Sequence, residues 1–234
     1  IDQTADEIFS AFRMRASYRL QLILIDDASP DQTAGKIRDL CERYPGTVSG
    51  IYLPVNHGQA RAKMRGIPKA RGKFAVFMDD DGQHDPEKIF DLIEALKRDP
   101  GLRMVYAQFP VQKESLPRRI ASAITSLGLC LTAGKRAGLK ITSFFAVDSR
   151  ALAALRKYKS SRPFIGGYIW HVFGKNAVGT VLIPHRQRIS EKSSYSLKKL
   201  FRTWYALNTS MREIRRYPTT AHAPRETDRP AADR

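Results

Sequence analysis

Residues 74–89 read FAVFMDDDGQHDPEKI, and the fold turns on this stretch. Phe74 to Met78 is an apolar run of the length expected for a strand buried on both faces, and it stops abruptly at Asp79, Asp80 and Asp81. A strand that ends in carboxylates displays them, and in an open α/β sheet ligands sit in the crevice beyond the carboxyl ends of the strands. Gly82 lets the backbone turn. Asp85, Pro86 and Glu87 then supply an N-cap, a proline at the first helical position and an acidic first turn. The unit is strand, acidic turn, helix.

Toward the N-terminus, Leu20 to Ile25 is a second apolar run, and it too ends in carboxylates, Asp26 and Asp27. A helix is expected from Asp31 to Tyr44, closed by Pro45-Gly46, then a strand from Gly50 to Val55 and the turn Asn56-His57-Gly58. The following helix turns Ala60, Met64, Ile67 and Ala70 toward the sheet and stops at Gly72. An amphipathic helix over residues 2–15, built on Ile8, Phe9, Phe12 and Met14, precedes all of this. Strands separated by single helices are the βαβ signature and predict an α/β fold with a mostly parallel sheet and right-handed crossovers. Parallel strands point the same way, so Asp26, Asp27, Asp79 and Asp81 are expected along one edge. Four acids in one crevice repel each other unless a divalent cation occupies it, and oxygen-only ligands favour Mg²⁺ or Mn²⁺ over zinc.

Toward the C-terminus, the helix runs to Arg98, and Met104 to Phe109 is a fourth strand. Leu116-Pro117-Arg118-Arg119 leads into an apolar stretch flanked by paired cations, too short to span a bilayer. It suits either a membrane interface or a buried helix. A strand over Thr142 to Val147, a helix from Ser149 to Tyr158, an apolar stretch from Phe164 to Phe173 and a strand from Val178 to Ile183 follow. A polar basic loop, 185–195, precedes a last helix whose Leu197, Leu200, Phe201, Trp204, Leu207 and Met211 share one face, with Lys198, Lys199 and Arg202 off it. That pattern reads as a binder of an anionic membrane surface, or as a helix packed on its parent domain. Residues from Pro218 onward are proline-rich and polar, which predicts a disordered tail.

The 234 residues carry a formal charge of +17 with ordinary globular proportions, 42% hydrophobic and 27% charged. One domain with a tail is expected, attracted to a polyanion or an anionic membrane face. The charge has no helix-turn-helix, zinc-finger or aromatic RNA-binding signature beside it, so no nucleic acid partner is expected. Cys41 and Cys130 have neither metal-ligand nor redox spacing and read as packing residues in a reducing compartment. No run reaches the roughly 18 apolar residues of a membrane span, and no signal pattern opens the chain. A homo-oligomer is compatible with this composition.

The segments DDASPDQT, NHGQARAKMRG, DDDGQHDPEKI and RISEKSSYSLKKL, in that order, together resemble the family 2 glycosyltransferases of GT-A fold, and among them the polyprenyl-phosphate sugar transferases of the dolichyl- and undecaprenyl-phosphate type. The resemblance runs from about Leu20 to Trp204. It implies a catalytic domain over residues 1–195, followed by the basic helix at 196–217 and the tail at 218–234. It implies that Asp26 and Asp27 contact the base and ribose of a UDP- or GDP-sugar, and that Asn56 and Gly58 line the nucleotide side. By the same resemblance Asp79 and Asp81 hold the cation on the diphosphate, with Gln83 assisting.

The acceptor in such enzymes is a polyprenyl phosphate, already a dianion near neutral pH, so no dedicated general base is required. Arg188, with Ser193 and Tyr195, matches the family's phosphate-holding loop, and Arg118 or Arg119 is a second candidate for that phosphate. Inversion by one direct displacement, at the cytoplasmic face of the membrane, is implied. The chain departs from the pattern in three places. It starts after the family's opening strand, so a central strand is expected to be missing. Glu191 stands for the loop glycine, and the arginine usual near residues 141–150 is absent, leaving Asp148 as the acid there, either a base or orienter or a helix-start residue. Many relatives also continue into transmembrane helices.

Overall fold

Strand β1, Leu22–Asp26, pairs in parallel with β2, Val48–Tyr52, in a register that sets Leu22 opposite Val48 and Asp26 opposite Tyr52. The structure, a computed structural model, describes residues 1–110, 126, 130, 138–184 and 197–219. The helix before β1, α1 (Asp2–Arg13), and the crossover α2 (Thr33–Arg43) bury Ala5, Leu40 and Val48 in a small core to which Phe9 and Tyr44 add stacked rings. Helix α3, Gln59–Gly66, lies against β1. Gly66 permits that approach, since a Cβ there would come within 2.8 Å of the Ile25 side chain. The buried face of α3 is Ala62 and Gly66, whereas Ala60, expected inward, is exposed. The helix gives way at Ile67–Lys69 to a single 3₁₀ turn, one residue before the proline ring fixes φ.

The second sheet has four strands in the order β3 (Phe74–Phe77), β5 (Phe145–Asp148), β4 (Met104–Gln108), β6 (Val178–Leu182). β4 and β6 are parallel, while β5 runs antiparallel to both β3 and β4. The expected parallel sheet therefore contains one reversed strand. The reversal follows from where the chain comes back in. It enters β5 from Ser143 and Phe144, at the end of the sheet where β3 stops, so Phe145 sits opposite Phe77 and Asp148 opposite Phe74.

Alternation along the strands then builds two layers of core. Met104, Tyr106, Phe145 and Val147 face α5 (Ser149–Lys157), α6 (Ile165–Phe173) and α7 (Leu197–Ile214). Val105, Ala107, Phe144 and Ala146 face α4 (Ile89–Arg98) on the other side. Among the described residues no strand joins the two sheets, and β1 and β3 are each half-exposed along their length apart from Asp26. Phe74–Met78 does pack on both faces, Ala75 and Phe77 against one core layer and Phe74, Val76 and Met78 against the other, but only partly buried, since among the described residues β3 has a sheet partner on one side only.

The C-terminal part of α7 takes the second of the two readings its pattern allowed. Met211 and Ile214 are buried in the main core, and Ser210 Oγ donates to the Arg162 carbonyl at 2.7 Å. Leu207 packs against the same core, so the last two turns of this helix rest on the parent domain. No helix among the described residues is long and apolar enough to cross a membrane. Arg118, Arg119, Arg188, Ser193, Tyr195 and the tail beyond residue 219 lie outside the described residues.

Candidate functional site at the acidic rim

The carboxyl ends of β1 and β3 open onto the same rim, and α3 spans the space between them. Its N-terminus is fixed by Asp27, whose Oδ1 accepts from His57 N at 2.8 Å and whose Oδ2 accepts from Gly58 N at 2.7 Å. A carboxylate on two free amides at a helix start is well placed, because those amides have no partner within the helix and the dipole favours negative charge. Gly58, at φ 85°, occupies a backbone region that an L side chain rarely adopts. Asp26 is buried and accepts from Ser29 N at 3.0 Å, in a turn closed by Ala28 at φ 60°. Asp27 thus ties the His57–Gly58 turn to the end of β1.

Five residues further along α3, about 7.5 Å of helical rise, Lys63 reaches the second acid pair. Its Nζ lies 3.2 Å from Asp79 Oδ1 and 3.0 Å from the Ser143 carbonyl oxygen, with the Phe145 ring centroid at 5.7 Å. The two side chains are 13% and 18% exposed, so the pair is largely withdrawn from water. Asp79 N donates to His84 Nδ1 at 3.0 Å, and the buried His84 ring stacks on Phe144 at 4.8 Å. This bond closes the turn through Gly82, at φ 73°. His84 is the internal brace of the acidic turn. Asp81 is exposed and accepts from Gln83 N at 3.1 Å and Gln83 Nε2 at 2.6 Å. Gln83 thus sits against Asp81 within the turn.

Burial works to raise the Asp79 carboxyl, but the Ser143 hydrogen bond and the Lys63 ammonium outweigh it and hold the group below its ordinary 3.8. Burial pushes Lys63 below its ordinary 10.5, with Asp79 opposing. For Asp79 the depressed folded value means a stabilising contribution that is complete above about pH 4 and lost as pH falls through the folded value. Lys63 has the opposite arrangement, a penalty present below its folded value and relieved as pH climbs toward 10.5. Urea melts at pH 7, 4 and 3 should therefore show a shallower acid loss of stability for Asp79→Asn than for the wild type.

Two expectations change. The four acids do not form one metal cluster: among the described residues no group of three or more Asp, Glu, His or Cys is disposed to share an ion. The physical reason is that α3 keeps the pairs apart and each is neutralised separately, Asp26 and Asp27 by backbone amides, Asp79 by Lys63. Asp79 and Asp81 by themselves, two carboxylates on one turn, still fit a hard cation that takes a few protein oxygens and completes its shell from phosphate and water. Asp148 is the second correction. It stands at the opposite end of β5, five residues or about 16 Å along the strand from the level of Asp79. There it caps α5, accepting from Ala151 N at 2.8 Å, and pairs with Arg103 Nη1 at 3.0 Å. An acid tied down at the base of the sheet takes no part in chemistry at the rim.

Lys63 was missed altogether. Its signal was a lysine set among positions read as facing the sheet, where a solvated cation is out of place. A groove of about 520 Å³ lies on the outer side of the turn, lined by Asp6, Glu7, Asp85 and Glu87. Its charge suits no diphosphate.

The fold is of the GT-A type, and the chain belongs to Glycosyl transferase family 2, whose family profile matches residues 3–158. Relatives include the undecaprenyl-phosphate 4-deoxy-4-formamido-L-arabinose transferases of Edwardsiella ictaluri, 28% identical over 191 residues, and of Pseudomonas fluorescens, 26% over 199. These alignments cover 82% and 83% of this chain but 58% and 56% of those proteins, so the chain spans just over half their length. Mannosyl-3-phosphoglycerate synthase from Rubrobacter xylanophilus superposes with a TM-score of 0.62 at 22% identity, covering 96% of this chain and 72% of that one. Glucosyl-3-phosphoglycerate synthase from Mycobacterium tuberculosis, crystallised with Mn²⁺ and UDP-glucose, gives 0.58 at 19% identity over 85% of this chain and 69% of its own.

Proposed function

We propose that this domain transfers a sugar, with inversion, from a UDP- or GDP-sugar to a polyprenyl phosphate at the cytoplasmic membrane face. The observation that carries this reading is the pairing of the two acidic strand ends across α3. It brings a nucleotide-side loop, Asp27 with Asn56 and Gly58, within one short helix of a diphosphate-side turn, Asp79 with Asp81. The kinship with undecaprenyl-phosphate transferases supports the acceptor class, and the fold relative crystallised with Mn²⁺ and UDP-glucose supports the donor class.

In this reading Asp26, Asp27, Asn56 and Gly58 seat the nucleoside, while Asp79 and Asp81, braced by His84 and Gln83, hold Mg²⁺ or Mn²⁺. The cation neutralises the charge that grows on the leaving diphosphate. Arg188, Ser193 and Tyr195, with Arg118 or Arg119, hold the acceptor phosphate in line. A phosphate oxygen then bonds to the anomeric carbon as the bond to the nucleoside diphosphate breaks, the electron pair leaving with the diphosphate.

Isothermal titration with UDP is expected to give binding heat that depends on Mn²⁺. A metal-independent or absent response overturns the donor site and favours a non-catalytic binding domain. The acceptor has a second reading, a water-soluble molecule, favoured by the burial of the Met211 and Ile214 face of α7. Co-flotation with vesicles containing an anionic lipid supports the polyprenyl phosphate, and retention in the aqueous fraction supports the soluble acceptor.

A further inference from the structure

Lys63 holds a position that the donor-binding reading leaves unexplained. Its ammonium stands 3.2 Å from Asp79 Oδ1, one of the two oxygens this carboxylate has to offer a cation. A divalent ion and an ammonium cannot share that oxygen without repulsion at close range. When Asp79 turns to a metal, Lys63 loses its counter-charge but not its anchors. The Ser143 carbonyl at 3.0 Å and the Phe145 ring at 5.7 Å keep Nζ at the rim. A withdrawn ammonium without an anion is costly, so the metal-loaded state calls for a new negative charge beside Lys63.

We propose that Lys63 is a resident counter-ion that couples the two ligands of the site, opposing metal binding alone and favouring metal together with a nucleoside diphosphate. This rests on the donor-binding reading above. Lys63 yields Asp79 to the cation and is compensated by the diphosphate oxygens that arrive with it. The site then stays closed to free divalent ions and fills only when the nucleotide is present. The coupling belongs to one charge at one position, which makes it separable from the fold.

The test is Mn²⁺ binding to the whole chain, followed by the electron paramagnetic resonance signal of free Mn²⁺, with and without UDP. Wild type should bind Mn²⁺ weakly alone and about tenfold more tightly or better with UDP, within the usual range of site-to-site coupling. Lys63→Met should bind Mn²⁺ alone about tenfold more tightly and lose most of the enhancement by UDP. Lys63→Arg, which keeps the charge, should behave as the wild type, and Lys63→Gln replaces the methionine variant if a thermal melt shows that one unfolded. Wild type that binds Mn²⁺ and UDP while the neutral variant binds Mn²⁺ no more tightly overturns the coupling and leaves the donor site standing. An arginine variant that behaves like the neutral one also overturns it. Wild type that binds neither probe removes the donor site, and the coupling with it.

Discussion

Asp79→Asn should abolish the Mn²⁺-dependent binding heat of UDP and lower the rate of nucleoside diphosphate release by about 10²–10³-fold, the usual cost of removing one group that stabilises a developing anion. The substitution keeps the shape of the side chain and its backbone bond to His84 Nδ1 while deleting the charge. It also leaves Lys63 facing a neutral amide with only the Ser143 carbonyl in reach. Breaking a largely buried pair from one side strands the other charge, and with both groups partly open to water a stability loss of about 2 kcal/mol at pH 7 is expected. Asp80→Asn is the control. Asp80 is exposed, and its contribution to the turn is a backbone carbonyl that accepts from Thr4 Oγ1 at 3.4 Å, so binding heat, rate and stability should all stay at wild-type levels. A rate unchanged in Asp79→Asn would move the metal site elsewhere.

Element types and the position of the rim were legible in the sequence because apolar runs ending in acids carry both the strand and its direction. Phe74–Phe77 and Met104–Gln108 fall inside the runs that predicted them, and Leu22–Asp26 overruns its own by one residue, Asp26. The sense of β5 was not legible. A four-residue apolar strand reads the same in either direction, and its orientation depends on which end of the sheet the preceding segment leaves it. That reversal sets Asp148 at the far end of the sheet, in the helix-start place that was one of its two readings. The run FAVFM packs on both faces as read, but among the described residues it pairs on one side only, which leaves it partly exposed. At the site, the residues named by motif were found together wherever backbone bonds hold them, as with Asp27 on the amides of His57 and Gly58. Lys63 and His84 escaped because their roles come from tertiary contacts. A lysine in an amphipathic helix and a histidine in an acidic turn carry no sequence mark of a buried partner.

Ile214→Ala separates the two roles open to the last helix. Ile214 is fully buried against the core that holds Leu155, Tyr168 and Val178, and deletion of a buried isoleucine side chain to alanine costs about 3 kcal/mol once the residual cavity is counted. The surroundings limit collapse into that cavity. Glu213 accepts from Ser160 Oγ at 2.5 Å and Ser161 Oγ at 3.1 Å, and the Tyr217 hydroxyl both donates to Lys159 O at 2.8 Å and accepts from Lys159 N at 2.9 Å. These bonds hold the end of α7 on the loop at 158–162, so the backbone is not free to follow the lost methyl groups. Urea denaturation without lipid should therefore show the full loss, and vesicle flotation of the folded variant should match the wild type. A helix whose apolar face belonged to the bilayer gives the reverse pattern, unchanged stability in water and weaker flotation. Because Ile214 lies one turn beyond Met211, at the end of the apolar face that amphipathicity leaves open to either lipid or core, this pair of measurements, taken on the same variant, tells a core helix from a membrane one.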